Sequence, residues 1–258
     1  MGNCCSPNDT PSELQNAKLN EKDVPSEDYA KKIDFDPENF LSAEVKRICA
    51  EEPFPVQFDS AGRSHLPDYY QLPDGRIYCG QWKDGKPDGQ GKLYIHDGVY
   101  YEGSLEKGSP NGYGRKIHQN GDTFMGAYLS GRLKGEGQII WRNKNEEGID
   151  ESEVYKGGLD NNLLDGRGEY KWSDGKVYNG DWKEGKIDGE GTLNYPDGRI
   201  YEGSFKDDVK HGKGKLRMND NTTWVGTWLD GKKEGEFKIH NNTTGDIRVE
   251  TYRDGKKV

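Results

Sequence analysis

The sequence predicts an all-β fold, an elongated single-layer antiparallel sheet of stacked β-hairpins, preceded by a mostly disordered N-terminal arm that contains one short helix. Three observations predict this fold. Aromatic residues return every 23 residues, glycines return at fixed positions between them, and apolar side chains alternate with polar ones along the intervening segments. Alternation with a period of two is typical of a strand that buries one face.

The composition argues against a conventional core of aliphatic side chains. Leu, Ile, Val and Phe make up about 17% of the 258 residues, charged residues make up 32%, and the net charge is −9. These values alone indicate disorder. The 36 Gly, 15 Tyr and 6 Trp oppose that interpretation, because disordered chains contain few aromatic residues. The acidic balance also argues against nucleic acid as a partner.

The composition divides the chain into four segments. Residues 1–35 are predicted to be an acidic, disordered arm, and residues 36–50 a short amphipathic helix. Residues 51–73 are predicted to be a linker that leads into the repeats, and residues 74–258 to be seven repeats with a C-terminal cap.

The short helix is predicted from its capping residues and its spacing. Asp36 can cap the N-terminus with Pro37 in the first position, and Leu41, Val45 and Ile48 follow at helical spacing. This helix either packs on the end of the repeat body as a cap, which is the interpretation we favour, or docks a partner protein.

The repeats begin at aromatic residues, namely Tyr78, Tyr101, Phe124, Tyr155, Tyr178, Tyr201 and Trp224. The successive spacings are 23, 23, 31, 23, 23 and 23 residues, and the long spacing contains a polar insertion of eight residues around 143–148. Recurrence at a fixed period is the signature of a repeat architecture.

Each repeat is predicted to form one hairpin. Tyr78, Gly80 and Trp82 alternate along a first strand and therefore face one side. The tract 84–89 is rich in turn residues, and Asp97-Gly98 is a tight-turn signal that leads into the next repeat. Because glycine weakens the interior of a strand, we expect an aromatic ring from a neighbouring strand to lie over the backbone at Gly80.

The repeat unit resembles the MORN repeat (membrane occupation and recognition nexus). The resemblance rests on Tyr-x-Gly-x-Trp at the start of the unit and Gly-x-Gly in its second half, and it covers about residues 74–245. It implies a non-enzymatic scaffold, as in junctophilins, in protist cytoskeletal proteins and in add-on modules of lipid kinases. The residues themselves offer no catalytic set and no metal-ligand spacing, so neither a cofactor nor a metal is expected. The sequence departs from the pattern at Asp208, where glycine is expected, and at Leu159 and Asn162.

The first six residues, Met-Gly-Asn-Cys-Cys-Ser, match the signal for N-myristoylation of Gly2. One myristoyl chain attaches only marginally, and the acidic arm supplies no polybasic patch, so Cys4 and Cys5 are predicted to be palmitoylated. The alternatives are a chance match or a metal or disulfide site. Acylation predicts a lipid-anchored protein without a transmembrane segment at the cytosolic face of the plasma membrane or of a vesicle or ciliary membrane.

The predicted binding site is an aromatic groove that takes a protein partner, for which a helical segment is one plausible form. Its residues are the repeated rings Tyr78, Trp82, Tyr101, Tyr178, Trp182, Tyr201, Trp224 and Trp228. A second copy of the chain could join through the open sheet edge at the last repeat.

A basic cluster offers a second candidate site. Lys213, Lys215 and Arg217 share one face of a strand and could bind the headgroup of an acidic phospholipid, or they are a solvated strand face. The alternative functions are therefore a phosphoinositide-binding module and an accessory regulator of a phosphatidylinositol phosphate kinase.

Overall fold

The computed structural model describes residues 20–55, 58, 62–144 and 147–258. The acylation signal at Gly2, Cys4 and Cys5 lies outside the described residues. The chain divides into two compact units, residues 1–134 and 135–258.

The described part of the first unit contains two short helices and the first strands. The helices are α1 (Pro37–Phe40) and α2 (Ala43–Glu51), and a 3₁₀ turn precedes them at Glu21–Asp23. The strands are β1 (Lys31–Ile33), β2 (Ser64–Gln71), β3 (Ile77–Lys83), β4 (Lys86–Ile95), β5 (Val99–Glu106), β6 (Ser109–Ile117) and β7 (Thr123–Leu129). They pair antiparallel in chain order from β1 to β2 and onward to β7.

The described part of the second unit is built from strands alone. They are β8 (Arg132–Trp141, which starts in the first unit), β9 (Glu153–Asp160), β10 (Leu163–Lys171), β11 (Val177–Lys183), β12 (Lys186–Asn194), β13 (Ile200–Lys206), β14 (Val209–Arg217), β15 (Thr222–Leu229), β16 (Lys232–Asn241), β17 (Ile247–Arg253) and β18 (Lys256–Lys257). These strands also pair antiparallel in chain order. The prediction of an all-β fold of antiparallel hairpins is confirmed.

The hairpins close with turns of only two residues. In the first repeat these are Asp84 and Gly85, with φ of 49° and 70°. Two successive positive φ values define the type I′ turn, whose twist matches that of the flanking strands. The predicted turn over 84–89 was too long, because Lys86 to Gly89 already belong to β4.

Paired glycines run across the strands of both units in the same register. Gly80 lies opposite Gly91, which lies opposite Gly103, and the second unit repeats this pattern from Gly137 to Gly226. The ring of Tyr78 lies over the first pair, since a Cβ on Gly91 would stand 2.3 Å from Tyr78 Cε2. A ring does lie over the backbone, but the ring above Gly80 comes from its own strand and not from a neighbouring strand as predicted.

Successive hairpins are also joined at their turns. The backbone N–H of Gly108 donates to the carbonyl of Pro87 at 2.8 Å, and Gly185 donates in the same way to Leu164 at 2.8 Å. Asp208, which stands where glycine is expected, has φ of 70° and still donates to the carbonyl of Ile187 at 3.0 Å. These turns thus rest on the hairpin before them.

The segment from residue 20 to 35 is ordered, which corrects the prediction of a disordered arm up to residue 35. β1 pairs with β2 and covers part of its edge. The buried carboxylate of Asp23 accepts from the Asp84 backbone N–H at 2.9 Å and from Ser64 Oγ at 2.8 Å. In the second unit, the Glu184 N–H donates in the same way to the Asp165 carboxylate of the preceding hairpin, at 3.1 Å. Asp23 therefore takes the place of a preceding repeat.

The predicted helix over 36–50 is two helices instead of one. Asp36 caps α1 as expected, accepting from the Glu38 N–H at 2.9 Å. The chain then leaves the helical conformation at Leu41, and Ser42 caps α2 through a 3.2 Å bond from the Val45 N–H. A residue that caps a second helix ends the first, because an N-cap has non-helical φ and ψ.

The helix α2 covers one face of the strands β2 to β6, whereas the interpretation we favoured placed it on the end of the repeat body. Val45 and Ile48 are fully buried there against Tyr94, Tyr100 and Ile117. The C-terminal end of α2 is held by Arg115, whose Nη1 donates to the carbonyl of Glu52 at 2.6 Å. The segment 51–73 is not merely a linker, since β2 occupies Ser64–Gln71 within it.

Candidate protein-binding surface

The predicted groove residues stand at the repeat starts or four residues later, and in each unit they lie on one face of the strands, which we call the ring face. Tyr78 and Trp82 in the first unit and Tyr178 and Tyr201 in the second are 0% exposed. Tyr101, Trp182 and Trp228 are buried as well, and Trp224 is half-buried. Neighbouring rings meet edge to face, as Tyr178 and Trp182 do at a centroid distance of 5.5 Å.

This burial corrects the role that we predicted for these residues. Seven of the eight predicted groove residues form the core of the hairpins and offer a partner no surface. For the tyrosines the physical reason is the glycine pairs, which let each phenol ring settle onto the backbone of its own and the next strand. Only Trp224 keeps a partly accessible ring.

The tyrosine hydroxyls explain why these positions need a phenol. Tyr78 Oη donates to the carbonyl of Gln81 at 2.6 Å, and Tyr155 Oη donates to the carbonyl of Gly158 at 2.7 Å. The strand pairing shifts register at these positions, between Gly80 and Trp82 in the first repeat. The hydroxyl therefore binds a carbonyl at the bulge, which would otherwise be costly to bury. Burial raises the pKa of Tyr78 and of Tyr155.

Half-exposed aromatic side chains do lie on the ring face of the second unit. Three of them lie at the end of a repeat's second strand or one residue beyond it, 17 residues after the repeat start; they are Trp141, Trp172 and Tyr195. The fourth is Tyr170, two residues before Trp172. The sequence places them on apolar strand faces, but we did not include them in the predicted groove. Their spacing from Phe124, Tyr155 and Tyr178 is the signal that could have found them.

We call these four side chains the rim rings, and two of them lie near cations of the chain itself. Lys176 Nζ lies 5.3 Å from the centroid of Trp172, and the Arg199 guanidinium lies 4.8 Å from that of Tyr195. In the last repeat, Lys233 Nζ lies 4.1 Å from Trp224 and 3.8 Å from Tyr252, and burial there lowers the pKa of Lys233. Cation–π contacts of this kind are worth about 0.5–2 kcal/mol.

The predicted basic cluster lies on the opposite face of the second sheet. Lys215 and Arg217 line a cleft of about 500 Å³ together with Asn221, Thr223, Val225, His240 and Asn242. Both cations already pair with Glu202, at 3.6 Å from Lys215 Nζ and 3.2 Å from Arg217 Nη2. Lys213 is exposed on the same strand but does not line this cleft.

The described residues hold no group of three or more His, Cys, Asp or Glu side chains placed to bind a metal ion. Within the same residues, neither helix has the length and apolar character needed to cross a bilayer.

The repeats match a known family. A sequence model of the MORN repeat matches residues 78–100, 101–123, 155–177, 178–198, 201–223 and 224–236. The chain carries six MORN repeats. They begin at six of the seven aromatic residues from which we defined the repeats, and the unit that begins at Phe124 is not among the matches. Phe124 has no hydroxyl to bind a carbonyl at the bulge, although Gly126 keeps the backbone conformation of Gly80, with φ of 156° against 153°.

No curated protein sequence matches this chain. Among solved structures, it is similar to the SAS-4 (dCPAP) TCP domain of Drosophila melanogaster, solved with a proline-rich motif of Ana2 (dSTIL). The two are 14% identical with a TM-score of 0.39, covering 77% of this chain and 96% of that chain. The TCP10 domain of CPAP from Danio rerio is also 14% identical, with a TM-score of 0.40 over 80% of this chain and 94% of that chain.

Proposed function

We propose that this MORN-repeat protein is a non-enzymatic scaffold that binds a protein partner at the cytosolic face of a membrane. Acyl chains on Gly2, Cys4 and Cys5 would hold it there, at the plasma membrane or at a vesicle or ciliary membrane. The ring face of the second unit would bind the partner. The observation that carries the proposal is the row of half-exposed aromatic side chains on that face, Trp141, Tyr170, Trp172 and Tyr195.

Half-exposed Trp and Tyr are suited to this role because they combine a large apolar surface with few rotatable bonds. Such residues contribute much of the binding energy at protein interfaces. The rim rings are also fixed before a partner arrives. Trp172 packs on Tyr170 at a centroid distance of 4.6 Å, and Tyr170 packs on Trp182 at 5.7 Å. A partner would therefore meet a preorganised surface.

The test of partner binding is proximity labelling in cells with the intact chain and with a Trp172→Ser, Tyr195→Ser double variant. We expect the double variant to lose a defined set of labelled proteins while it stays at the membrane. The matched control is Tyr113→Ser, since Tyr113 is 54% exposed but belongs to the first unit. Equal labelling by all three proteins would contradict a binding role for the ring face.

The anchoring proposal has its own test. One myristoyl chain gives only reversible attachment, so Gly2→Ala is expected to release the protein from membranes, and Cys4→Ser with Cys5→Ser to weaken its retention. Fractionation and mass spectrometry of the mature N-terminus measure both effects. A Gly2→Ala protein that stays membrane-bound would refute acyl anchoring and leave partner binding untouched.

A second candidate is the binding of acidic phospholipid at Lys215 and Arg217, directly or as the regulator of a phosphatidylinositol phosphate kinase. The cleft that these residues line supports it, and their pairing with Glu202 opposes it. Co-sedimentation of the non-acylated full chain with phosphoinositide vesicles tests it. Salt-sensitive binding that Lys215→Glu with Arg217→Glu abolishes would favour it, with Lys256→Glu as the control on the last strand.

A further inference from the structure

We propose that the cleft formed by Trp141, Tyr170 and Glu153 binds an arginine side chain of the protein partner. This inference rests on the proposed function, because it specifies the chemistry of the partner that the ring face of the second unit would take.

The cleft lies beside the eight-residue insertion. It has a volume of about 390 Å³ and is lined by Trp141, Asn143, Glu151, Glu153, Tyr170 and Ser173. The insertion lengthens the connection between β8 and β9, and this longer connection supplies Asn143 and Glu151. The long spacing in the repeat pattern therefore corresponds to a feature of the surface.

The aromatic part of the cleft is a stacked pair. The rings of Trp141 and Tyr170 lie 5.5 Å apart with an interplanar angle of 27°. Both side chains are half-buried, so each keeps part of its ring accessible. A planar guanidinium ion stacks on such rings, and this cation–π attraction strengthens when water is excluded.

The acidic part of the cleft is Glu153, which lies directly opposite Trp141 in the strand pairing. Tyr170 Oη donates to Glu153 Oε2, and Ser173 Oγ lies 3.5 Å from Oε1. These bonds fix the carboxylate beside the indole. Each carboxylate oxygen has a second lone pair, so Glu153 retains the capacity to accept two N–H groups of a guanidinium fork.

The next two repeats show the same arrangement with the cation supplied by the chain itself. Lys176 lies over Trp172 and Arg199 lies over Tyr195, and each of these cations precedes its repeat start by two residues. Glu153 holds that position before Tyr155. At Trp141, a carboxylate therefore stands where the neighbouring repeats place a cation. The site has the charge that complements an arginine from outside, and an intramolecular arginine at Tyr195 demonstrates the contact.

The inference is tested with the full chain labelled with 5-fluorotryptophan, whose six indole signals are assigned by Trp→Phe variants. The probes are three blocked tripeptides, Gly-Arg-Gly, Gly-citrulline-Gly and Gly-Lys-Gly. Citrulline keeps the shape of arginine and removes its charge. We expect the arginine peptide to shift the Trp141 signal saturably, and the citrulline peptide to bind at least fivefold more weakly. Glu153→Gln should weaken arginine binding at least fivefold.

The matched control is Glu169→Gln, which removes an exposed carboxylate on the opposite face of β10, beside Tyr170 in sequence. It is expected to bind the arginine peptide as the unmodified chain does, and thermal melts of both variants check that the fold is kept. Equal binding of citrulline, or arginine binding unchanged by Glu153→Gln, would overturn the inference. Equal binding of the lysine peptide would overturn its restriction to arginine. If the arginine peptide fails to bind while Trp172→Ser with Tyr195→Ser still abolishes labelling in cells, only this inference falls.

Discussion

Glycine has two different roles in this chain, and the structure separates them. Gly85 needs its conformational freedom, because it sits in a two-residue turn with φ of 70°, and the atom nearest to a Cβ placed there would be 3.7 Å away. Gly91 needs its lack of a side chain, because the phenol of Tyr78 fills that space at 2.3 Å. The first role is local to the turn, while the second is part of the packing of the core.

Substitution of these two glycines by alanine is predicted to have unequal costs. Gly91→Ala forces the Tyr78 ring away from the backbone, and overpacking of this kind costs about 3 kcal/mol. Gly85→Ala places a Cβ in the left-handed region and costs about 1 kcal/mol. Urea unfolding of both variants measures the difference in the free energy of unfolding. An equal loss at the two positions would contradict the packing role assigned to the glycine pairs.

At the scale of the elements, a buried ion pair joins α2 to the first sheet. The side chains of Arg115 and Glu102 are 4% and 7% exposed, and Arg115 Nε donates to Glu102 Oε1 at 2.9 Å. Tyr100 Oη donates to the other oxygen at 2.8 Å, while Arg115 also caps the end of α2 at Glu52. One guanidinium thus connects the helix to two strands.

Arg115→Met is predicted to cost about 3–5 kcal/mol, because it leaves the Glu102 carboxylate buried without this partner and releases the end of α2. The double variant Arg115→Met with Glu102→Leu is predicted to recover most of that loss, since two apolar side chains need no ionic partner. Chemical denaturation of the two variants measures this. A double variant as unstable as the single one would show that the helix cap, and not the buried charge, carries the effect.

The helices also show where sequence reasoning works and where it stops. Asp36 and Pro37 correctly predicted the start of α1, because capping is decided by adjacent residues. The break at Ser42 was missed, although a serine three residues before Val45 is itself a capping signal. The pairing of β1 with β2 joins residues 38 apart, for example Lys32 and Tyr70, and no local pattern reports a contact of that kind.

The candidate site was predicted only in part, for a related reason. The 23-residue period identified the faces of the strands, and the fold class followed from it. The period does not show how deeply a ring is buried. The sequence pattern marks both Tyr178 and Tyr195 as aromatic positions of one repeat. The side chain of Tyr178 is nevertheless 0% exposed, whereas that of Tyr195 is only half-buried. That difference depends on which ring has a glycine pair beneath it.

At the scale of the whole molecule, ten tyrosines are buried among the described residues, and this predicts how stability depends on pH. Burial raises the pKa of Tyr94, Tyr100, Tyr101 and Tyr178. In the unfolded chain the same groups lose their protons near pH 10. Stability is therefore fully present below about pH 10 and is lost as the pH rises above it, because the unfolded state then releases protons that the folded state retains.

We expect the melting temperature to fall steeply above about pH 10, and most of the tyrosinate absorbance to appear together with the loss of β-sheet circular dichroism. Parallel pH titrations by near-ultraviolet absorbance and circular dichroism measure the two signals. Gradual ionisation of most tyrosines while the sheet signal persists would show that the phenols are not buried as the structure has them.

The two kinds of connection in this fold differ in how much they can change in length. The two-residue turns that hold Gly108, Gly131 and Gly185, among others, donate a backbone hydrogen bond to the hairpin before them, so an extra residue there would cost that bond as well as the match of twist. The connections at the other ends of the strands range from three residues, at 96–98, to eleven, at 142–152. Between successive repeats, new sequence can therefore accumulate along the margin away from the two-residue turns. Variation in what related proteins recognise is expected to concentrate on that margin, while the opposite margin stays uniform.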